Sequence, residues 1–366
     1  MEQVLISGYY GFGNAGDEAV LAAMLQQLST LWPKARFVVL SGNPQGTMGE
    51  HMVEAIPRHN LRAVLTALRN STVFVSGGGT LLQDVTSSRS LYYYLGMLLL
   101  ARWHRLPVII YGQGIGPFLH QWNRRLTLWV LGQVQLVIVR DQGAYSKLLD
   151  WGFDENKLCL GADPALALRP VEDAAIKDEL GLSHSRPVLL VSLRPWASLG
   201  SSLSFIAAAL DNLSKEGWQV VFLPVQFSAD HPICQACAEL MSEPAMVWSR
   251  PLAAVELLAL VGQADYCLGM RLHSLIFAAI WGLPMVGLAY DPKVEEFLRE
   301  LGLEDAVVGL PDAGGEPLAA EYLAERIRRV ANEGDALTAQ IKARTTFLTD
   351  RALAATNHIV EELPLL

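Results

Sequence analysis

The segment Gly269–Ser274 combines an arginine, a histidine and the predicted start of a helix. It reads Gly-Met-Arg-Leu-His-Ser, follows the strand-like run Ala264–Leu268 and precedes an apolar run with helical spacing. Arg271 and His273 are two residues apart, so in an extended turn they point to the same side. The partial positive charge at a helix N-terminus adds to theirs. We therefore expect an anion site in which His273 supplies a titratable proton.

Arg140 stands at the end of the apolar run Val137–Val139. An arginine in such a place is costly unless a carboxylate pairs with it or it faces a binding site. We favour anion binding for Arg140, and an ion pair with Asp141 or another acid is the alternative.

Lys293 lies in the first turn of a helix that Asp291-Pro292 predicts. A cation in a first turn is unfavourable next to the helix dipole unless an anion is present. A bound anion and an ion pair with an acid, such as Glu295 or Glu296, both meet this requirement, and the sequence does not separate them.

Two glycine-rich loops follow further strand-like runs. Gly77-Gly78-Gly79-Thr80 follows Val73–Ser76, and Gly112–Pro117 follows Val108–Tyr111. Glycines let backbone N–H groups come close to a ligand. We expect Gly78 and Gly79 to contact an anion, and Gln113 of the second loop to add a side-chain donor. The alternative is a tight turn between strand and helix, which needs only one or two glycines.

The segment Gly11–Gly16 fits GxGxxG, which binds a dinucleotide in a Rossmann unit. Two features oppose a dinucleotide here. Asp17 and Glu18 would place negative charge against a pyrophosphate, and the second strand-like run is followed by no acid for a ribose hydroxyl. We expect Asn14, Asp17 and Glu18 to bind sugar hydroxyls, with Asp17 as a base. A charge that stabilises the helix N-terminus is the alternative for Asp17.

Cys234 and Cys237 form a CxxC motif, with His231 three residues earlier. A zinc site would need a fourth ligand and usually a second pair of cysteines. We interpret the segment as a helix, Ala229–Ser242, that carries buried thiols. We expect no metal and no cofactor.

Apolar runs that end in such loops alternate with helical patterns, which predicts βαβ units and parallel sheets. Besides those above, strands are predicted at Val4–Ser7, Phe37–Leu40, Leu158–Leu160, Val188–Leu193, Val220–Leu223, Tyr266–Leu268 and Met285–Leu288. Parallel sheets bind ligands at the carboxyl ends of their strands. The expected fold class is α/β, with two doubly wound, Rossmann-like domains and a ligand in the crevice between them.

The domain boundaries follow from a shift in composition after residue 168. Residues 1–168 are expected to form an N-terminal domain that contains Arg140. A linker spans residues 169–186. A C-terminal domain spans residues 187–336, and residues 337–366 form a helical tail.

The chain has 366 residues, of which 51% are hydrophobic and 18% charged, and its net charge is -9. This length and composition predict two folded domains rather than disorder. The negative charge disfavours nucleic acid, so we expect no nucleic-acid partner. The N-terminus does not resemble a signal peptide, and four cysteines fit a reducing compartment. We expect a soluble, cytoplasmic protein.

The motifs together resemble the polysaccharide pyruvyltransferase family, in particular its CsaB-type members, which modify secondary cell-wall polymers. The matching segments, in chain order, are Ser7–Glu18, Ser76–Ser87, Gly112–Pro117, Arg140-Asp141, Gly269–Ser274 and Tyr290–Lys293. The resemblance implies a fold like that of GT-B glycosyltransferases. It also implies transfer of a pyruvyl ketal from phosphoenolpyruvate, the donor substrate, to two hydroxyls of one sugar, with release of phosphate.

The resemblance assigns site residues as well. It implies that the N-terminal domain, residues 1–168, lies on the acceptor side and also contributes Arg140 to the donor site. The C-terminal domain, residues 187–336, is expected to carry the donor site. The positions that match the family's donor site are Arg140, Arg271, His273 and Lys293. For the acceptor we expect contacts with Asn14, Asp17, Glu18, Asp84 and Gln113. The implied acceptor is N-acetylmannosamine on a lipid-linked precursor. His273 is the candidate general acid or phosphate ligand.

Two other function classes remain open. One is a nucleotide-sugar glycosyltransferase or epimerase with the GT-B architecture, and the other is a non-catalytic protein that binds a sugar or an anion.

The lipid-linked acceptor also implies peripheral contact with the inner face of the membrane. The stretch Leu91–Leu100, which runs into Arg102-Trp103-His104-Arg105, motivates this expectation. A buried helix whose basic end reaches water is the alternative.

Overall fold

The computed structural model describes residues 2–171, 179, 181–182, 185–196, 199–310 and 319–363. The chain folds into two compact units. The first unit consists of Met1–Leu168 and Leu348–Leu366, and the second of Arg169–Phe347. Of the predicted linker, residues 172–178, 180 and 183–184 lie outside the described residues.

The first unit is built on one sheet of seven parallel strands. They are β1 (Gln3–Tyr10), β2 (Arg36–Ser41), β3 (Glu54–Pro57), β4 (Val73–Gly77), β5 (Val108–Gln113), β6 (Leu136–Val139) and β7 (Leu158–Leu160). Their order in the sheet is β3-β2-β1-β4-β5-β6-β7. The central strands are apolar and buried on both faces, as helices on both sides of a parallel sheet require.

Six helices of the first unit connect these strands. They are α1 (Ala15–Leu31), α2 (Pro44–His51), α3 (Leu61–Asn70), α4 (Ser88–Trp103), α5 (Gln121–Leu131) and α6 (Gln142–Asp150). Side chains of α3, α4, α5 and α6 share one hydrophobic cluster with the sheet. Because parallel connections are right-handed, helices that link strands in the same direction along the sheet lie on the same face.

The second unit has a sheet of six parallel strands. They are β8 (Val188–Ser192), β9 (Gln219–Phe222), β10 (Ala245–Val247), β11 (Tyr266–Gly269), β12 (Met285–Ala289) and β13 (Val307–Gly309). Their order is β10-β9-β8-β11-β12-β13. The helices are α7 (Leu199–Lys215), α8 (Phe227–Leu240), α9 (Ala254–Val261), α10 (Leu272–Trp281) and α11 (Pro292–Glu300).

The last helix, α12 (Ala320–Glu362), begins in the second unit and ends in the first. Gly334 interrupts it with φ 49° and ψ -128°, a conformation outside the α-helical region. Among the described residues, no helix combines the length and the apolar character that crossing a bilayer requires.

The expected fold class is confirmed: both units are α/β, with one parallel sheet each. Three strands that were not predicted from the sequence, Glu54–Pro57, Ala245–Val247 and Val307–Gly309, lie at sheet edges. They have three or four residues each, and they lack the long apolar run that marks a central strand.

Candidate functional site

The candidate residues of the second unit lie after neighbouring strands of its sheet. Arg271 follows β11, Lys293 follows β12, and Asp230 lies in α8, which follows β9. The strands are parallel, so their carboxyl ends meet at one edge of the sheet. The structure therefore brings these groups to one edge, which we call the second-unit edge.

Arg271 is held by a buried carboxylate. It is the N-cap of α10, and its Nη2 and Nε donate to Asp230 Oδ1 at 2.5 Å and Oδ2 at 2.9 Å. Nη2 also donates to Gln226 Oε1 at 3.2 Å. Asp230 is fully buried and accepts the N–H of Gln226 at 2.8 Å. The fork of Arg271 is thus oriented by the start of α8, and its charge is partly balanced.

His273 lies in the first turn of α10, two residues after Arg271. It is half-buried, and its ring centroid is 6.4 Å from that of Phe277 one turn later. The helix predicted after the strand is present, and it begins at Leu272, so His273 lies within it. A partly exposed imidazole at a helix N-terminus is placed to meet an anion.

Lys293 forms an ion pair with an acid, which was the alternative to a bound anion, and the acid is Asp291. Its Nζ lies 3.4 Å from Asp291 Oδ2, and its backbone N–H donates to Asp291 Oδ1 at 3.1 Å. Glu295 and Glu296 were the examples considered from the sequence. Asp291 is favoured because it is the N-cap residue, whose carboxylate already faces the first turn of the helix. The ammonium also lies 5.3 Å from the ring centroid of Tyr290.

Arg194 is a cation at the second-unit edge that was not predicted from the sequence. It follows β8, and its Nη1 donates to Tyr290 Oη at 2.7 Å. Its guanidinium carbon lies 4.8 Å from the ring centroid of Tyr290 and 5.7 Å from that of Trp196. Nε is buried without a hydrogen-bond partner. Within the described part of the chain, no carboxylate forms an ion pair with it.

The signal for Arg194 was present in the sequence. Like Arg140, it stands directly after an apolar run, here Val188–Leu193. The same cost of placing an arginine at the end of a buried strand applies to both residues.

In the first unit, Arg140 is buried among acids. Its Nε lies 3.4 Å from Asp141 Oδ2 and its Nη1 3.5 Å from Asp163 Oδ2. Its Nη2 donates to Thr80 Oγ1 at 3.0 Å. Only 5% of Arg140 is exposed. The structure thus shows the ion pairs that were the alternative for this residue, and anion binding by Arg140 stays a proposal.

Asn14, Asp17 and Gly79 lie together at the carboxyl edge of the first sheet. Asn14 is the N-cap of α1, and its Nδ2 donates to Asp17 Oδ2. A Cβ atom on Gly79 would lie 3.1 Å from Asp17 Oδ1. Thr80, the next residue, contacts Arg140. The structure therefore places the predicted base, one predicted glycine and Arg140 along the same edge.

Gly78 is required by packing against α1. Its φ is +69°, and a Cβ atom there would lie 2.4 Å from Val20 Cγ1. Its neighbour Gly77 faces Met24 in the same way, with 2.1 Å to Met24 Cε. The N–H of Gly78 donates to the Tyr111 carbonyl at 3.0 Å. These contacts explain why a glycine is needed at position 78 without a ligand, so they support the tight-turn alternative.

Glu18 is buried and hydrogen-bonded on both oxygens. Oε1 accepts the N–H of Gly11 at 2.7 Å, and Oε2 lies 3.0 Å from His51 Nε2. Among the described residues, Glu18, Glu50 and His51 form the group that could hold a metal ion, with ligand atoms within 4.8 Å of one another. The contacts to Gly11 and His51 already fix Glu18, and they orient the loop after β1.

Asp84 stabilises the turn that leads into α5. Its carboxylate accepts the N–H of Leu119 at 2.5 Å, the N–H of His120 at 3.1 Å and Asn123 Nδ2 at 2.7 Å. Burial raises the pKa of Asp84, but the hydrogen bonds from Asn123, Leu119 and His120 outweigh burial and lower that pKa below its usual value. These bonds account for Asp84 as a structural residue, and an acceptor contact stays a proposal.

Gln113 is fully buried. Its Nε2 donates to both the carbonyl and the Oγ of Ser76, each at 2.9 Å, so the side chain ties β5 to β4. Its donor group is therefore engaged within the first sheet.

The CxxC segment is helical, as predicted from the sequence. Cys234 and Cys237 lie in α8 and are buried. Burial raises the pKa of both thiols to about 12, which keeps them protonated and unreactive at neutral pH.

A family model described as polysaccharide pyruvyl transferase matches residues 14–292. The chain belongs to the polysaccharide pyruvyl transferase family. The resemblance inferred from the motifs is thus confirmed. The match begins at Asn14 and contains all of the predicted site residues except Lys293, which directly follows it.

One related protein is the amylovoran biosynthesis protein AmsJ of Erwinia amylovora. It is 22% identical over 271 residues, which are 69% of this chain and 64% of AmsJ. The chain thus matches less than two thirds of the length of that relative.

Two solved structures illustrate the fold of the family member. The S. aureus MnaA–UDP co-structure has a TM-score of 0.67 and 14% sequence identity, and the alignment covers 100% of this chain and 98% of MnaA. A glycosyltransferase from Rickettsia africae ESF-5 has a TM-score of 0.64 and 12% identity, with 100% of each chain covered. Likeness at these identities shows the fold alone. It confirms the expected GT-B-like fold with two α/β domains.

Proposed function

We propose that the protein transfers a pyruvyl group from phosphoenolpyruvate to a sugar of a cell-wall or surface polysaccharide, and releases phosphate. The product is a cyclic ketal that bridges two hydroxyls of one sugar. We expect that sugar to be N-acetylmannosamine on a lipid-linked precursor. Family membership supports the class of reaction, and the cations of the second-unit edge support the donor.

The observation that carries the donor assignment is the state of Arg194. A buried N–H without an acceptor costs about 1–3 kcal/mol, and more when the group is charged. The Nε of Arg194 is such a donor. A carboxylate or phosphate oxygen would satisfy it, and both groups are present in phosphoenolpyruvate.

Arg58 of the first unit shows why exposure matters to this assignment. Its Nε is also buried without a partner. Its guanidinium carbon lies 4.2 Å from the ring centroid of Tyr93 and 5.2 Å from that of Phe12, and only 8% of the residue is exposed. The rings of Tyr93 and Phe12 form an aromatic cage around the guanidinium, which stabilises the cation and shields it from solvent. Arg194 as a whole is only half-buried, so it is less enclosed than Arg58.

The donor carries about three negative charges near neutral pH, so several cations must contact it. In this proposal Arg194, Arg271 and Lys293 hold its carboxylate and phosphate. Arg271 and Lys293 are each paired with an aspartate, which keeps their side chains in place before the ligand binds. The donor then meets pre-oriented cations instead of mobile ones.

The reaction needs one proton added at carbon and two removed from sugar hydroxyls. An acid protonates the methylene carbon while the first hydroxyl oxygen attacks the central carbon and gives its proton to a base. The second hydroxyl oxygen then displaces phosphate, which leaves with the C–O electron pair, and loses its proton. His273, at the start of α10, is our candidate for the acid or for a phosphate ligand.

For the acceptor we propose residues of the first unit. Asn14 and Asp17 are hydrogen-bonded to each other, and Asp17 is only partly buried, so its carboxylate is the candidate base for a sugar hydroxyl. Glu18 positions the loop through Gly11 rather than contacting the sugar. Gly79 leaves space next to Asp17, where a side chain would crowd the carboxylate.

A nucleotide-sugar glycosyltransferase or epimerase is the second candidate, because one structure of the same fold contains UDP. A non-catalytic sugar- or anion-binding protein is the third. The three differ in what they do with phosphoenolpyruvate, since only the proposed enzyme releases phosphate from it in the presence of a sugar.

The test is to incubate the protein with phosphoenolpyruvate and N-acetylhexosamine acceptors, including N-acetylmannosamine disaccharides on a lipid carrier. Phosphate release and the mass of the acceptor are then measured. We expect equal amounts of phosphate and of pyruvylated acceptor. Sugar transfer or epimerisation from a UDP-sugar, with no phosphate from phosphoenolpyruvate, would establish the second candidate. Binding without any turnover would establish the third.

A further inference from the structure

Helices α4 and α5 carry an exposed aromatic surface that the proposed reaction does not use. Trp103 is 80% exposed, Trp122 is 70% exposed and Trp129 is 60% exposed. Tyr92 and Leu119 are also exposed. We call these five residues the aromatic face. Three tryptophans left in water on two adjacent helices are unusual, and such a surface marks a site of interaction.

The core does not need the aromatic face. The buried side of α4, with Leu91 and Leu98, and the buried side of α5, with Val130 and Leu131, pack into the same hydrophobic cluster. The expected buried helix at Leu91–Leu100 is therefore present, but its outer side carries aromatic residues.

The two helices present their outer sides together. α4 links β4 to β5 and α5 links β5 to β6, so right-handed connections place both on one face of the sheet. Tyr92 Oη donates to Asn123 Oδ1 at 2.8 Å, which joins the helices near their N-termini. Trp122 and Trp129 are seven residues apart, two helical turns, and so lie on the same side of α5.

The charge of this region is opposite to that of the whole chain. The chain has 37 acidic residues and a net charge of -9, yet no acid occurs between Asp84 and Asp141. The same stretch contains five arginines on or next to the two helices: Arg89, Arg102, Arg105, Arg124 and Arg125. Arg89, Arg105 and Arg125 are exposed. The two helices that carry the aromatic face therefore also carry a local excess of positive charge.

We infer that the aromatic face binds the surface of an anionic lipid bilayer. Tryptophan and tyrosine prefer the headgroup level of a membrane, and arginines near the surface are attracted to anionic lipids. The partly exposed leucines of the same helices, Leu99, Leu100, Leu126 and Leu128, add aliphatic area. Aliphatic area suits acyl chains better than the stacked bases of a nucleic acid.

The same geometry explains how the protein is held at the membrane. Leu119 and Trp122 lie at the N-terminal end of α5, in the turn that Asp84 holds by accepting the N–H of Leu119. The end of the aromatic face is therefore fixed at the carboxyl edge of the first sheet. A bilayer bound there would lie next to the edge that also carries Asp17.

The experiment is flotation of the full chain with vesicles. Vesicles of phosphatidylcholine with phosphatidylglycerol are compared with vesicles of phosphatidylcholine alone, at low and high salt. The test variants are Trp122→Ala with Trp129→Ala, and Arg89→Glu with Arg125→Glu. Matched controls on the exposed side of α3 are Leu61→Ala, and Arg62→Glu with Arg69→Glu. Thermal melting confirms that each variant is folded.

We expect the wild type to float with anionic vesicles only, and salt to weaken binding. The tryptophan and arginine variants should each lower the vesicle partition coefficient by about tenfold or more, and the α3 controls by less than about twofold. Failure of the wild type to float, or equal losses in the controls, overturns the inference. Concentration-dependent dimerisation that the tryptophan variant abolishes, without flotation, would assign the face to a second copy. Binding to single-stranded RNA instead of vesicles would assign it to nucleic acid.

Discussion

Arg271 and Asp230 form a two-point ion pair in the second unit, with Nη2–Oδ1 at 2.5 Å and Nε–Oδ2 at 2.9 Å. They are on different elements, the N-cap of α10 and the first turns of α8. The pair fixes the direction of the guanidinium fork before any ligand is present. Because Asp230 is fully buried, we expect the stability of the second unit to depend on its ion pair with Arg271.

We expect Asp230→Asn to destabilise the second unit by about 1–3 kcal/mol, since the buried fork loses its counter-charge. In a double-mutant cycle with Arg271→Gln, measured by urea unfolding, the coupling energy should exceed about 1 kcal/mol. Asp211 is the matched control, because its buried carboxylate accepts backbone N–H groups of Ser242 and Glu243 without an arginine. Asp211→Asn should be additive with Arg271→Gln. Additivity at Asp230 as well would show that the pair is not coupled.

Gly78→Ala should destabilise the first unit by about 2 kcal/mol or more, because it adds left-handed strain to a clash with Val20. Gly13 is the control: its φ is +68°, but a Cβ atom there would meet nothing within 4 Å. Gly13→Ala should cost only the strain, about 1 kcal/mol. Val20→Ala should recover part of the loss in Gly78→Ala. Equal losses at the two glycines would contradict the packing role of Gly78.

The sequence predicted the central strands of both sheets well, because strands buried on two faces appear as continuous apolar runs. Val73–Gly77 and Met285–Ala289 differ from their predicted bounds by one residue. The short edge strands lack such runs and were missed. The course of α12 could not be predicted either, since helical spacing does not show to which unit a helix packs.

The positions of the site residues were predictable, but most of their partners were not. Strand ends indicated Arg140 and Arg271, and both lie at carboxyl edges as expected. Asp141, the neighbour of Arg140, was considered as its partner and contacts it. The other acids that bind the two arginines, Asp163 and Asp230, are 23 and 41 residues away in the chain. A pattern of neighbouring residues contains no information on such partners. Lys293 shows the same limit at short range, since the N-cap carboxylate of Asp291 was overlooked in favour of Glu295 and Glu296.

Asp84 should make the stability of the first unit sensitive to acid. Its pKa is lowered in the folded protein, so the unfolded chain takes up its proton at a higher pH than the folded chain. The stabilisation is therefore fully present above the usual pKa of 3.8 and is lost as the pH falls through the lowered value. Asp84→Asn should make the free energy of unfolding fall less steeply as the pH is lowered through this range. The exposed Asp154→Asn is the control, and a change of slope as large there would refute the role of Asp84.

His273→Gln should lower the rate of pyruvyl transfer by about a hundredfold or more, because the variant keeps a polar side chain but cannot donate the proton. The folded state should survive, since His273 is only half-buried. His358→Gln is the matched control, as His358 is likewise half-buried, in α12, and contacts Glu361. Phosphate release and melting temperature are measured for both. Turnover near that of the wild type in a folded His273 variant would exclude an acid role.

Arg194 provides the sharpest test of the donor, because it separates phosphoenolpyruvate from a nucleotide. A ligand at a hundred times its Kd stabilises a protein by about 2.7 kcal/mol, so phosphoenolpyruvate should raise the melting temperature measurably. Lysine keeps the charge of Arg194 but lacks the planar fork, and Arg194→Lys should lose most of this shift. Tyr290→Phe removes only the hydroxyl that positions Nη1, and should weaken the shift without abolishing it.

Arg58→Lys is the control for these titrations, because Arg58 also has a buried, unpartnered Nε within an aromatic cage. It should lower the melting temperature of the free protein but leave the shift with phosphoenolpyruvate unchanged. UDP at the same concentration should give little shift in any of the proteins. A larger shift with UDP, retained in Arg194→Lys, together with none for phosphoenolpyruvate, would reject the donor assignment. The second-unit edge would then have to bind a nucleoside diphosphate. The cations beside Tyr290 would contact its pyrophosphate instead of the phosphate of phosphoenolpyruvate.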